Sequence, residues 1–114
     1  MKIKNKTQLT KIIKEQKKKK LPKPYASGSI VYFESWYEVL VSNSIAKTEE
    51  DLDFDYEPEL VNTLPDIRYE TVSFTSLDEA KNGKDEDVSA QGYIMHSQIK
   101  KVLGKSKLKL SKYK

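Results

Sequence analysis

The sequence lacks cysteine, and it also lacks any long apolar run. Without cysteine there are no disulfide bonds, no thiolate metal ligands and no thiol nucleophile, which is compatible with a reducing cytosol. The apolar runs fall far short of the ~18 residues of a membrane-spanning helix, and the basic N-terminus leads into no secretory signal. We therefore expect a soluble, cytoplasmic protein with no membrane partner.

Arginine, histidine and glycine are also scarce. Arg68 is the only arginine, which argues against base-specific recognition of nucleic acid, and we expect it to pair with a neighbouring carboxylate. His96 is the only histidine and has no obvious catalytic or metal-binding partner. The four glycines are isolated and begin no phosphate-binding loop. We predict a protein that is not an enzyme and uses no cofactor and no metal.

What the sequence has in abundance is charge, sorted by sign along the chain. Residues 1–25 hold ten lysines and one glutamate, for a net charge of +9. Residues 26–95 hold four basic and sixteen acidic residues, for −12, and residues 96–114 hold seven lysines and no acid, for +7. Because a field of one sign attracts ligands of the other, this segregation is evidence about partners rather than about fold.

The chain length of 114 residues predicts one folded unit, and the hydrophobic fraction of 37% predicts a small core. We divide it into a basic N-terminal helix and proline linker at 1–25, a core domain at 26–103 and a basic tail at 104–114. The predicted fold is α+β: a small antiparallel sheet of three to five strands, with an N-terminal basic helix and short C-terminal helices.

The N-terminal helix is predicted over residues 5–20. Leu9, Ile12 and Ile13 fall on one helical face, and lysines occupy most of the others. Two prolines that follow directly end the helix.

Strands are predicted at 29–33 and 68–74 from their β-branched and aromatic residues. In the second of these, Val72 and Phe74 lie on one face and Tyr69 on the other. Residues 36–45 fit either a strand or a capped helix, and the strand is favoured. Residues 60–65 fit a short strand or a turn.

The C-terminal third combines helix and strand signals. A helix capped by Ser76 is predicted to end at Gly83, followed by a polar loop and a strand at 91–95. A second helix is predicted at 97–103, with one longer helix from residue 90 as the alternative. The tail at 104–114 fits an edge strand or a flexible basic arm. The predicted core is Leu9, Ile12, Ile13, Ile30, Tyr32, Trp36, Val39, Val41, Val72, Phe74, Leu77, Ile94, Ile99, Val102 and Leu103.

Residues 48–59 carry seven carboxylates and no basic residue. A calcium loop of the EF-hand kind beginning at Asp51 fails, because position 6 is Tyr56 instead of glycine and position 12 is Asn62 instead of glutamate. Leu52, Phe54 and Tyr56 alternate with acids, so an extended segment sets an apolar edge opposite an anionic one. That edge could bind its own domain or a basic protein surface. The predicted protein-binding residues are Glu49, Glu50, Asp51, Asp53, Phe54, Asp55, Tyr56 and Glu57.

The lysine-rich ends are candidate contacts for the phosphate backbone, which position a protein without reading sequence. The predicted residues are Lys14, Lys17, Lys18, Lys19, Lys20, Lys100, Lys101, Lys105, Lys107 and Lys109. Trp36 and its neighbouring tyrosines fit a base-stacking platform, but a place in the core is favoured.

The leading functional hypothesis is an accessory protein that binds nucleic acid or a nucleoprotein complex. Its lysines would contact phosphates, and its acidic segment would contact a basic protein surface. A first alternative is an inhibitor of the phage or mobile-element type whose acidic segment mimics nucleic acid, acting in the host cytoplasm if viral. A second alternative is an assembly subunit with basic arms. The oligomeric state is left open.

Overall fold

The computed structural model describes residues 21–52 and 58–114. The predicted N-terminal helix, with Leu9, Ile12, Ile13 and the lysines at 14 and 17–20, lies outside the described residues and receives no support from them. The same holds for residues 53–57 of the acidic segment.

The described residues form a five-stranded antiparallel sheet with one short α-helix, which confirms a small mixed α+β fold. The order of the strands across the sheet is β4-β3-β2-β1-β5. The elements are β1 (Ser29–Phe33), β2 (Trp36–Ala46), β3 (Asp66–Phe74), α1 (Leu77–Asn82), β4 (Ala90–Met95) and β5 (Val102–Lys105). No helix within 21–52 and 58–114 is long and apolar enough to cross a bilayer.

Strands β1 and β2 form a tight hairpin, which confirms both strand predictions. Glu34 and Ser35 connect them with φ angles of 48° and 73°. Two consecutive left-handed residues fit a type I′ turn, whose twist matches that of the flanking strands. Residues 36–45 therefore form a strand despite the helical spacing of their apolar residues, and Val39 pairs with Ile30 across the hairpin.

Three apolar clusters pack against the sheet, and the predicted face assignment in β3 is confirmed. The first cluster comprises Ile30, Val39, Val41, Val72, Phe74, Ala80 and Leu108. The second comprises Val31, Leu40, Ile67, Tyr69, Ile94 and Ile99. The third comprises Ala46, Leu52, Leu60 and Met95. The first two occupy opposite faces, because residues that alternate along a strand point to opposite sides of the sheet.

Helix α1 begins and ends as predicted. The Ser76 hydroxyl oxygen accepts a hydrogen bond from the Glu79 backbone N–H at 3.1 Å. The Glu79 carboxylate accepts from the Thr75 hydroxyl at 3.0 Å. Gly83 takes the left-handed conformation, with φ of 62°, and its N–H donates to the Glu79 carbonyl. This short helix packs on the first cluster through Leu77 and Ala80.

The helix predicted at 97–103, and the longer alternative from residue 90, are wrong. Residues 90–95 are strand β4, and His96–Gln98 make only a 3₁₀ turn before β5. Val102 and Gly104 pair with Val31 and Ile30 on the outer edge of β1. Backbone groups on that edge need partners, and a strand supplies them where a helix cannot. The predicted short strand or turn at 60–65 is a 3₁₀ helix over Pro58–Thr63.

Three predicted core residues are exposed instead. The exposed fraction is 52% for Tyr32, 38% for Trp36 and 38% for Val102. Tyr32 and Trp36 lie at the turn end of the β1–β2 hairpin, past the last β1–β5 pair at Val31. Their position at the hairpin end therefore leaves these large rings exposed instead of in the core.

A matched pair of glycine substitutions tests the packing of α1 against the chain that follows β5. A β-carbon on Gly83 would lie 2.2 Å from the Leu108 backbone nitrogen, whereas one on Gly92 would meet nothing within 4 Å. We expect Gly83→Ala to lower the free energy of unfolding by more than the ~1–2 kcal/mol of left-handed strain alone. Gly92→Ala should change it by less than about 1 kcal/mol. Urea unfolding of both variants checks this, and equal effects would contradict the described packing.

Candidate functional site

The basic corner consists of Lys100, Lys101, Lys105, Lys107 and Lys109, which lie on β5 and the residues that flank it. All five side chains are exposed. In β5, Lys105 lies opposite Ser29 and Val102 lies opposite Val31. Because the two strands are antiparallel, the residues that precede Val102 run toward the end of the β1–β2 hairpin. The structure thus brings together the C-terminal half of the predicted phosphate-binding set.

Backbone and side-chain hydrogen bonds hold the basic corner against the domain. The Ser106 N–H donates to the Gly28 carbonyl at 2.8 Å, and the Lys107 N–H donates to the Lys81 carbonyl at 3.0 Å. Leu108 is buried in the first cluster. These contacts attach residues 104–108 to both β1 and α1, so the edge-strand alternative describes the start of the tail.

Lys81 is a residue that the sequence argument missed. It lies on α1, inside the acidic middle of the chain, yet its aliphatic stem lies against Gly104 of β5. Its backbone also accepts the hydrogen bond from Lys107. Only the docking of the tail on α1 places this lysine beside the basic corner, and no local pattern indicates it.

Asp85 holds the C-terminal end of the tail through contacts with Lys112 and Tyr113. The Lys112 ammonium pairs with the Asp85 carboxylate, which also accepts from the Tyr113 hydroxyl at 2.8 Å. Hydrogen bonds from Lys112 and then Tyr113 hold the pKa of Asp85 below its usual range. The same carboxylate raises the pKa of Tyr113. Lys112 therefore stands apart from the basic corner, because its charge is already compensated.

The acidic segment, residues 48–59, begins in an exposed 3₁₀ turn over Glu49–Asp51. Asp51 is a structural residue of that turn. Its carboxylate accepts from the Lys47 N–H at 2.7 Å and from the Thr48 N–H at 3.2 Å. These two hydrogen bonds are the main reason that the pKa of Asp51 is lowered. Glu49 and Glu50 present their carboxylates at the surface.

Both described ends of the acidic segment are anchored to the sheet. Leu52 and Leu60 are buried in the third cluster, where they pack with Ala46 and Met95. Of the predicted protein-binding residues, Asp53, Phe54, Asp55, Tyr56 and Glu57 lie outside the described residues. Leu52 is the one member of the predicted apolar edge among the described residues, and it packs on its own domain; whether the edge as a whole does so stays a prediction.

Arg68 pairs with a neighbouring carboxylate, as predicted for the only arginine of the sequence. Its Nε lies 3.0 Å from the Glu70 carboxylate, and its Nη1 donates to the Asp51 carbonyl at 2.8 Å. The guanidinium group also lies 4.3 Å from the centre of the Tyr93 ring. This arginine is therefore engaged in joining the acidic turn to β3 and β4, rather than presented to a ligand.

Lys100 and Lys101 lie toward the Trp36 end of β2, whereas the acidic turn follows its other end. Strand β1 pairs with β5 on one edge, and on the other edge it pairs with β2 from Trp36 to Val39. The acidic turn follows Ala46, the last residue of β2. From residue 40 to residue 46 the strand advances about 20 Å, at ~3.3 Å per residue. That separation exceeds the Debye length of about 8 Å at physiological ionic strength, so attraction between the lysines of β5 and the acidic turn is largely screened.

His96 belongs to a stack of aromatic rings. Its Nδ1 lies 2.7 Å from the Tyr69 hydroxyl, which also accepts from the Tyr25 N–H at 2.9 Å. The Tyr25 ring stacks on the imidazole with a centroid distance of 4.8 Å. These contacts join the linker before β1 to β3 and to the turn after β4. Within 21–52 and 58–114, no group of three or more His, Cys, Asp or Glu side chains is arranged to hold a metal ion.

Glu38 is a buried carboxylate within the sheet. It accepts a hydrogen bond from the Ser73 hydroxyl at 2.6 Å. Burial raises the pKa of Glu38, an effect that hydrogen bonds from Ser73 and Thr71 only partly offset. The group is 9% exposed and pairs across the strands with Val31, so it contributes to the sheet interior rather than to a ligand site.

The raised pKa of Glu38 predicts how stability changes with pH. Between the unfolded pKa, near 4.5, and the higher folded pKa, the folded state binds more protons than the unfolded state. The contribution of Glu38 to stability is therefore fully present below the unfolded pKa and is lost as the pH rises through the folded pKa. We expect Glu38→Gln to raise the urea midpoint at neutral pH and to leave it nearly unchanged at acidic pH.

Ser73→Ala provides the matched variant. It removes a hydrogen bond that is stronger to a carboxylate than to a neutral acid, so it should destabilise more at neutral than at acidic pH. Urea titrations of the three proteins at both pH values measure these effects. A pH-independent difference between Glu38→Gln and the parent protein would contradict the assigned burial.

Comparison with known proteins provides no relative for this fold and surface. A scan against protein-family models gave no match, and searches of curated proteins and of solved structures also gave none.

Proposed function

We propose that the protein is a non-enzymatic accessory protein that binds a nucleoprotein or a nucleic-acid-handling complex. The observation that supports the proposal is that exposed lysines follow one edge strand of the sheet, while the exposed carboxylates of the acidic turn follow the far end of β2. Each region is held by backbone hydrogen bonds or buried leucines, so one molecule offers a cationic and an anionic surface in a defined relation. The chemistry fits simultaneous contact with a polyanion and with a basic protein.

The basic corner suits contact with a phosphate backbone. Its five side chains are exposed, and none of the ion pairs observed within 21–52 and 58–114 involves them. Lysine acts as a mobile point charge that contacts phosphate without fixing a base. Because Arg68 is engaged with Glu70 and the Asp51 carbonyl, base-specific recognition by a guanidinium group is not part of this surface.

The acidic segment suits a basic protein surface. Its described carboxylates would repel a phosphate backbone, so a nucleic acid on the basic corner would extend away from them. The buried Leu52 and Leu60 hold the segment to the sheet at both described ends. Anchoring reduces the conformational entropy that binding would otherwise cost, and complementary charge speeds encounter with a cationic partner.

The proposal predicts a specific salt dependence of nucleic-acid affinity. We expect a triple variant, Lys100→Gln with Lys101→Gln and Lys105→Gln, to weaken binding. The slope of log affinity against log salt should fall by about 0.9 for each phosphate contact removed from a duplex. Fluorescence anisotropy with a labelled duplex, between low and physiological salt, measures both quantities.

The matched control for the lysine variant changes net charge equally at other places. Lys23→Gln with Lys47→Gln and Lys84→Gln removes three exposed lysines outside the basic corner. It should leave most of the affinity and the slope in place. Equal losses in the two variants would show a general charge effect, and absence of binding at low salt would refute the proposed phosphate contacts.

The acidic segment is tested by a variant that spares Asp51, because that carboxylate holds the Lys47 and Thr48 N–H groups. We expect Glu50→Gln with Asp53→Asn and Asp55→Asn to keep nucleic-acid affinity and to lose a basic protein partner. Pull-down from the native host, with and without nuclease, measures the second effect. If nuclease treatment removes the partner from parent and variant alike, the acidic segment is not the contact surface.

One outcome of the same experiment would favour the inhibitor alternative. If the parent protein captures a nucleic-acid enzyme after nuclease treatment, and added nucleic acid displaces it, the acidic segment occupies the groove of that enzyme as a mimic. The accessory role requires instead that nucleic acid and partner bind together.

A further inference from the structure

The turn end of the β1–β2 hairpin has two large exposed aromatic rings that lie outside the apolar clusters. Tyr32 is 52% exposed and Trp36 is 38% exposed, whereas their strand neighbours Phe33 and Tyr37 are half-buried against the second and first clusters. Exposed Trp and Tyr rings leave apolar surface in water, which binding would cover. Neither Tyr32 nor Trp36 belongs to the three apolar clusters, although their pairing partners Tyr37 and Phe33 pack against the first and second clusters.

The strand ladder fixes the backbone positions of Tyr32 and Trp36. Tyr32 pairs with Tyr37, and their rings meet edge to face with a centroid distance of 5.0 Å. Phe33 pairs with Trp36 on the opposite face of the hairpin. The tight turn that joins the strands restricts their relative motion. One face of the hairpin end therefore exposes the Tyr32 ring, and the other exposes the Trp36 ring.

Lysines lie beside these rings because of the β1–β5 pairing. Lys100 and Lys101 lie between Ile99, which packs in the second cluster with Phe33 against it, and Val102, which pairs with Val31. Both lysines are exposed. The start of β5 thus places two cations along the end of β1, next to the aromatic hairpin end.

We propose that the hairpin end binds single-stranded nucleic acid, with unpaired bases stacked on Trp36 and Tyr32 and phosphates on Lys100 and Lys101. Aromatic rings beside a cationic track are the usual elements of single-strand binding, and stacking tolerates any base. Bases in a duplex are already stacked and cannot reach the rings. The inference rests on the proposed function and deepens it, because it names the form of nucleic acid.

The charge and shape of the surface favour nucleic acid over a protein partner. The two exposed rings lie on opposite faces, so they do not form the contiguous apolar patch of a protein interface. Beside the two lysines, the neighbouring carboxylates are the exposed Glu34 at the turn and the buried Glu38 on the Trp36 face. The Glu34 carboxylate should repel a nearby phosphate, so the backbone is expected along β5, and Glu34→Gln should tighten binding.

Trp36 is the only tryptophan, so its fluorescence reports directly on the proposed site. We expect a short oligothymidylate to quench it, because a stacked base contacts the indole. Inorganic polyphosphate, which supplies charge without bases, should bind at the basic corner without quenching. Equal quenching by polyphosphate would overturn the stacking.

Affinity measurements by anisotropy separate the two rings from the lysines. Trp36→Ala and Tyr32→Ala should each weaken oligothymidylate binding about tenfold and leave duplex binding unchanged. Trp36→Phe, which keeps a ring, should recover most of the loss, and Tyr113→Phe, away from the hairpin, should behave as the parent. Thermal unfolding of each variant shows that the fold is retained.

The outcomes distinguish this inference from the proposed function. If duplex and single strand bind equally, without quenching and without an effect of Trp36→Ala, the stacking is refuted while the lysine contacts stand. If no nucleic acid binds, both are refuted. If Trp36→Ala instead removes a protein partner that survives nuclease treatment, with oligothymidylate affinity unchanged, the hairpin end is a protein contact and the inference is overturned.

Discussion

The pairing of β5 with the outer edge of β1 is the interaction on which the proposed binding surfaces depend. It satisfies backbone groups of β1 that would otherwise face water, and it directs the chain after β5 across the first cluster. Leu108 is buried there, next to the left-handed Gly83 that ends α1. Because the pairing is antiparallel, it also fixes the exposed lysines on both sides of β5. A lysine-rich sequence thereby becomes an ordered cationic surface.

The long strand β2 separates that surface from the acidic turn. Its first residues pair with β1, while its last residues pair only with β3 among the described strands and lead into the acidic turn. Arg68 and the buried leucines then hold the turn against the sheet. The result is a domain with two charged regions whose mutual attraction is limited by screening, as the proposed contacts with two different partners require. Some acids in this region, with Asp51 the clearest, stabilise local structure instead of serving a partner.

Two kinds of sequence signal misled prediction at particular residues. The spacing of Ile99, Val102 and Leu103 matches one helical face, but only Ile99 is buried, and Val102 instead completes the sheet edge. Trp36 and Tyr32 are residue types that are often buried, yet they lie at the turn end of the hairpin, beyond the last residue that pairs with β5, and are exposed. Both errors have one cause: local pattern records apolar character and spacing, whereas burial depends on which distant strand becomes the neighbour. Lys81 was missed for the same reason, because its place beside Gly104 is a tertiary contact.

The sequence by itself determined the local elements and the distribution of charge. Strand composition predicts β1, β3 and β4, the Ser76 and Gly83 signals bound α1, and counting charges separates basic ends from an acidic middle. Tertiary structure alone decided which of these features meet. The pairing of β5 with β1 places Lys100 and Lys101 near the hairpin end. Tertiary contacts also engage Arg68 with Glu70 and His96 with Tyr69, and they leave Trp36 exposed. Local signals act through neighbouring residues, whereas a binding surface is assembled by pairing between strands that are far apart in the chain.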